Sequence, residues 1–544
     1  MSPSAPALGR LRLALWALAA GLGGLEAFAG RHVVNPDGIA YLDIADAYGR
    51  GDWTSALNAY WSPLYSWLLA PAVALARASP AWEFPLAHVV NLGIFVGAVA
   101  AFEALLVAVA RLLGADGAAR TALWLWGYAL FLRATLTMAT LRLVTPDVLV
   151  MAVTCLLAAL LCRVSAGDER GRTFVALGIV AGVGYLAKQI LLPVGVLALV
   201  LAAAGRGDGR RRRAGVVWAV LAMLVVAAPF VVAISLARGR FTVGEAGRLN
   251  YIWSLRAEGD RAQPMEGLLA HREGTHPPRK VLDAPAVWDF GRPGPGTVPL
   301  SFDPAYWSEG VRLRLEPRAQ LRVLAVNAGA VGQVLRRWLP ALTIVVLVLL
   351  IAGRAALGPA ARLWRLDVLG LAPVLVYPVV WVEGRYLAAA VVLVLFVPFA
   401  AAVRSAPLEP RVATAAALAA LLTLVVPPAA ATLADVARDP GLRGAPPAVA
   451  VEAAAVRALG LRPGDAVAVV GNFYDVGWAR LARVRVVATL DADRASDYDP
   501  RLAPALASTG ARLVVSDRGP LRAIAPDDWI PLGGRLHAHR LDGR

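Results

Sequence analysis

The segment Asn35–Tyr65 places an acid, Asp37, just beyond a long apolar run, followed by Tyr41, two further acids at Asp43 and Asp46, and an aromatic–proline stretch. A carboxylate partly withdrawn from water at a membrane surface has a raised pKa and can take a proton from a hydroxyl. Asp37 equally suits capping of a helix beginning near Gly38. Asp43 and Asp46, three apart, share a helical face, with Arg50 in reach. Thr145-Pro146-Asp147 repeats the acid-before-apolar pattern, where Asp147 suits either chemistry or an N-cap. Two cations stand where cations are scarce. Lys188, one of only two lysines, lies between apolar runs, and Arg385 follows Glu383-Gly384 and precedes Tyr386. A cation at that depth needs an anionic partner. A phosphate fits, because fixed cations stabilise charge on a leaving phosphate and arginine grips phosphate in bidentate fashion. Pairing of Lys188 with Asp147, and of Arg385 with Glu383, are the plainer alternatives.

The elements that must hold these residues are membrane helices. Of 544 residues, 58% are hydrophobic, and the mean hydropathy is +0.60. Apolar runs of about 20 residues alternate with short arginine clusters. About eleven spans are expected, near 11–29, 86–110, 121–139, 147–163, 173–187, 189–205, 215–237, 339–353, 367–382, 386–403 and 411–432. The fifth and sixth are nearly continuous and read as a bent hairpin tipped by Lys188. The net charge of +16 does not point to nucleic acid, because the arginines fill short inter-span loops. Those loops, with Arg111, Arg120, Arg170, Arg210–Arg213, Arg354 and Arg404, fall on one side if the N-terminus is cytoplasmic. Three large segments then lie outside: 30–85, 238–338 and the region from 433. Pro63–Ala76 reads as a helix in the interface, not as a span. Ala27-Phe28-Ala29 resembles a signal-peptidase site, but an uncleaved first span is expected, since it anchors the loop that follows. Cys155 and Cys162 read as packing residues. In 433–544, the runs 466–470, 484–488 and 512–516 read as buried strands, with helices near 478–482 and 504–508, giving a small α/β domain. No GxGxxG follows the first strand, so a nucleotide site is not expected there.

The first loop, Asn35–Tyr65, resembles that of the GT-C glycosyltransferases of the protein O-mannosyltransferase and lipid A aminoarabinose-transferase type. The 238–338 loop (GRFTVGEAGRLNYIWSL, THPPRK, APAVWDFGRPGPGT, DPAYWSEG) is similar to that of bacterial lipopolysaccharide-core sugar transferases of rhizobial type. The resemblance implies that Asp37 is the essential first-loop acid, with Asp147 an acid of a later loop. It also implies that the Arg385-Tyr386 pair lies near the lipid phosphate. Tyr41, Asp43, His276 and Glu383 are candidates for acceptor or sugar contact, and Tyr251, Trp253 and Trp307 for stacking on sugar faces. The first loop has no Asp-X-Asp or Glu-X-Asp pair, so no metal ligands are assigned and a divalent cation is the one cofactor left open.

The expectation is therefore a mainly α, polytopic transmembrane protein of GT-C-like form (1–432) with a small extracytoplasmic α/β domain (433–544), in a bacterial inner membrane. Its partners would be the bilayer, a polyprenyl-phosphate sugar donor and an envelope acceptor. Sugar would pass to a glycan, lipid or protein with inversion, Asp37 serving as base and Lys188 and Arg385 receiving the phosphate. The rivals are a lipid-linked-sugar transporter or flippase, for which no internal repeat is visible, and a non-catalytic glycolipid-binding protein.

Overall fold

The computed structural model describes residues 5–204, 209–256, 274–291, 294–490, 498–525 and 527–542. Its helices in chain order are α1 (Ala5–Gly30), α2 (Pro36–Gly49), α3 (Pro63–Ala76), α4 (Glu83–Leu113), α5 (Gly117–Thr137), α6 (Asp147–Ser165), α7 (Gly171–Ala187), α8 (Leu191–Ala203) and α9 (Gly209–Ala237). After them come α10 (Ala246–Arg256), α11 (Pro317–Arg337), α12 (Leu339–Ala352), α13 (Leu357–Val376), α14 (Ala388–Val403) and α15 (Pro410–Arg438). Each of the eleven apolar runs forms a helix. Among the described residues, seven helical stretches are long and apolar enough to cross a membrane. α7 and α8 are shorter and pack as a hairpin, with Lys188 in extended backbone at its tip. α3 has 14 residues, about 21 Å at 1.5 Å per residue, short of a hydrocarbon core of about 30 Å. Both cysteines are free and buried.

A bundle of such helices has no water inside, so its core is apolar side chains on nearly all faces. One cluster runs from Leu15 through the α4, α5, α6 and α14 interior to Val425. α5 carries Trp124, Trp126, Tyr128 and Phe131 fully buried, and its polar ring atoms are served in place. Trp124 Nε1 and the Tyr128 hydroxyl donate to Glu103 at 3.1 Å each, and Trp126 Nε1 donates to the Leu395 carbonyl.

α15 runs through the expected boundary at 433 to Arg438, and the C-terminal region follows it. It contains α16 (Ala448–Ala458), β3 (Ala466–Val470), α17 (Gly477–Ala482), β4 (Arg485–Leu490), α18 (Leu502–Ala507), β5 (Leu513–Ser516), β6 (Ile530–Pro531) and β7 (His537–Arg540). The three expected strands are present and parallel. Their sheet is wider than expected: a hairpin from the 238–338 segment, β1 (Arg279–Leu282) and β2 (Val287–Asp289), joins its edge, giving the order β1-β2-β4-β3-β5-β7-β6. The second large segment and the C-terminal domain thus share one sheet.

All three large segments meet at one end of the bundle. Asn58 Nδ2 donates to the Phe302 carbonyl, and Trp61 Nε1 to that of Ser301. Arg31 pairs with Asp439. A second core of Val34, Ile39, Tyr65, Trp253, Phe302, Phe473 and Trp478 draws on all three.

Candidate active site

α2 begins at Pro36, whose missing N–H costs nothing in a first turn. Asn35 occupies the N-cap position, so Asp37 lies within the first turn and does not cap it. The Asn35 side chain instead accepts from the Val144 backbone N–H at 2.9 Å. Gly38 permits this contact, since a Cβ there would lie 2.7 Å from Cβ of Val144. The same lacing brings the start of α6, and hence Asp147, under Asp37. His88 adds to it from α4, its two ring nitrogens meeting the carbonyls of Leu141 and Val33.

The residues singled out from sequence converge. Arg385 Nη2 donates to Asp37 Oδ2 at 2.7 Å, and Arg385 Nε to Glu383 Oε2 at 2.5 Å. Arg385 Nη1 stands 3.6 Å from Asp147 Oδ2. Lys188 Nζ donates to Asp147 Oδ1 at 2.6 Å and lies 4.2 Å from the ring centroid of Tyr386, within cation–π range. Tyr377 stacks on the other partner, its ring 5.0 Å from that of Tyr386. Asp147 is buried while Asp37 keeps a quarter of its side chain exposed. Asp147 is buried beside both cations, and Asp37 lines the open space next to them.

That space is a cleft of about 430 Å³. Asp37, Lys188, Arg248 and Arg385 line it together with apolar Ile190, Leu192, Pro193, Val376 and Val380. Tyr41 also lines the cleft and is buried edge-on against Trp61 and Tyr65. Burial holds the Tyr41 and Tyr60 hydroxyls protonated well above their ordinary range, helped by the Asp37 charge.

Four of the candidates lie away from the cleft. Asp43 does not reach the cleft. It is buried, accepting from Thr297 N and Oγ1 at 2.8 and 2.9 Å and from Arg480 Nη1 at 2.7 Å. Burial pushes its carboxyl up, while Arg480 and Thr297 oppose that shift. His276 lies outside the cleft, stacked on Tyr306 at 4.1 Å and 3.3 Å from Glu309. Trp253 and Trp307 are core residues, fully or nearly buried. Asp46 pairs with Arg50, as its spacing suggests, and also with Arg77.

Sequence reasoning passed over Gln189 and Arg480. Gln189 Nε2 donates to the carbonyls of Ala59 and Tyr60 while its Oε1 accepts from Ala246 N at 3.0 Å. This ties two large segments across the cleft, and Gly244 leaves room for it. A polar amide beside Lys188 in an apolar stretch was an available signal. Arg480 reaches from α17 to Glu83 at 2.6 Å and Asp43 at 2.7 Å. Burial works against its charge, but the two carboxylates outweigh burial and keep the guanidinium protonated.

No family model matches the chain, and no curated protein matches it. Among solved structures it is similar to ArnT from Cupriavidus metallidurans bound to undecaprenyl phosphate, at 15% identity and a TM-score of 0.45, covering 98% of each chain. It is also similar to the archaeal oligosaccharyltransferase AglB from Archaeoglobus fulgidus, in complex with an inhibitory peptide and a dolichol-phosphate. There the identity is 12% and the TM-score 0.47, over 93% of this chain and 69% of that one.

Proposed function

We propose that the protein is a membrane glycosyltransferase that moves a sugar from a polyprenyl-phosphate donor to an acceptor hydroxyl at the end of the bundle where the three large segments meet. The observation that carries this reading is that Asp37, Lys188 and Arg385 line one cleft together with a set of apolar side chains. A lipid-linked phosphate has the same two-part character: an anionic head that a lysine and a planar guanidinium bind, and a hydrocarbon tail.

The chemistry balances on residues present. Asp37 accepts the proton of the acceptor hydroxyl as its oxygen attacks the anomeric carbon. The bond from that carbon to the phosphate oxygen breaks with its electron pair, and the configuration inverts. The phosphate departs with added negative charge beside Lys188 and Arg385, which stabilise it where it forms. Asp147 holds both cations in place from below, so they need little reorganisation when charge develops. Arg385 is shared among three carboxylates. A donor phosphate that takes over part of its fork frees Asp37 to act as base.

The test is transfer of radiolabelled sugar from a panel of polyprenyl-phosphate monosaccharides into envelope fractions, with the wild type against Asp37→Asn at equal expression. Transfer by the wild type and its loss in the variant support enzyme class and base together. Equal transfer by both removes Asp37 from the mechanism, and no transfer from any donor overturns the enzyme reading.

A further inference from the structure

A second cavity, of about 560 Å³, opens where the sheet meets the bundle. One wall is formed by the carboxyl ends of β3 and β5, at Asn472 and Asp517. The other is the chain leaving α1, at Arg31–Val34, and the stretch that follows α15. From β3 the chain steps to β4 on one side, then crosses back to β5 on the other. Ligands of open α/β sheets bind outside the carboxyl ends of the strands at such a reversal, and small-molecule sites also favour domain boundaries. This crevice meets both conditions, and its volume falls in the range of roughly 300–1,000 Å³ typical of such sites.

Its lining selects the ligand. Four carboxylates, Asp439, Glu452, Asp475 and Asp517, face two guanidiniums, Arg31 and Arg535. Arg31 is already taken by Asp439. His32 also lines the wall, and burial together with the neighbouring Arg31 holds it below its usual value, hence neutral at pH 7. The excess of negative charge disfavours phosphates and uronic acids. Among the described residues no group of acids could hold a metal ion. Carboxylates only accept hydrogen bonds, so a ligand that presents many hydroxyl donors and no negative charge suits this lining. Asn472 adds an amide, and Trp478 supplies an apolar floor.

We propose that this crevice binds a non-anionic saccharide unit, whose hydroxyls donate to Glu452, Asp475 and Asp517. The proposal goes beyond glycosyl transfer and stands without it, since binding is read directly.

The experiment is ligand-observed NMR and calorimetry on the full-length protein in nanodiscs, with methyl mannoside, glucosamine and glucuronic acid as probes. Saturable binding of the first two, with glucuronate about tenfold weaker or absent, is expected. Asp475→Asn with Glu452→Gln should weaken it about tenfold. Asp475 is exposed, so Asp475→Asn alone serves should the double variant fail to fold. Asp37→Asn should leave binding unchanged. The proposal is overturned by no saturable binding of either sugar, by glucuronate binding equally well, or by loss of binding in Asp37→Asn with none in Asp475→Asn. Binding without any sugar transfer would sink the transferase reading and leave this one standing.

Discussion

The two cavities lie on either side of one short stretch of chain and are built to opposite electrostatic plans. Val34 lines the crevice and Asp37 the cleft, so their Cα atoms are at most about 11 Å apart at 3.8 Å per residue. Across that distance the walls change from lysine, arginine and stacked tyrosines to carboxylates and an amide. The cleft is lined by residues of the bundle helices and of two large segments, and apolar side chains are set among its cations. The crevice is lined by strand ends, by the chain leaving α1 and by the stretch after α15, and sets apolar side chains such as Val34, Val449 and Val515 among its acids. A cation-rich wall beside hydrocarbon suits the phosphate of a lipid, and an acid-rich wall beside water suits hydroxyls. The lesson is that net charge, +16 over the chain, says little about any one surface; the local count of each wall decides what it admits.

This contrast can be broken by mutation. The largest effect expected is on transfer: Asp37→Asn should lower the rate by about 10²–10⁴-fold, the range of general-base catalysis, with crevice binding intact. Next, Arg480→Ala strands Asp43 and Glu83 without their cation. Removing one partner of a buried pair costs about 3–5 kcal/mol, so the thermal midpoint should fall sharply and both cavities should fail together. Unchanged melting would mean that the two regions are independent. Third, Arg385→Lys keeps the charge but loses the fork; transfer should drop about 10²-fold, in the range for losing one charge-stabilising contact, with the thermal midpoint little changed. Smallest, Asp475→Lys should invert the preference of the crevice, weakening glucosamine about tenfold and admitting glucuronate. Its transfer activity toward a small soluble acceptor should not change.

Much of this arrangement was legible in the sequence, for reasons that differ by element. Each apolar run became a helix, because lipid-facing and core-facing residues are alike apolar and length alone then carries the signal. Asp37, Lys188 and Arg385 stood out because polar residues at the ends of apolar runs are costly unless paired. Their mutual pairing was not readable: Asp37 and Arg385 are 348 residues apart. Asp43 was a candidate for acceptor contact because it lies in the first loop just after Asp37, while the residue that claims it lies on a six-residue helix of the C-terminal region. The hairpin at 279–289 escaped notice because four- and three-residue strands show too little alternation. It borrows its order from β4, a partner about two hundred residues further along.

The bond between Arg480 and Asp43 has a consequence for biosynthesis. The two residues are 437 positions apart. At about 5–20 residues per second, Asp43 is made on the order of 20–90 s before the cation that balances it. Throughout that interval α2 carries an uncompensated acid that belongs in the interior, and the helix bearing Asp37 lacks its final anchor. The nascent protein therefore stays incomplete, and on this reading inactive toward any lipid-linked sugar around it, until its last domain has been translated and docked. A chain that stops early would not leave a deregulated enzyme in the membrane.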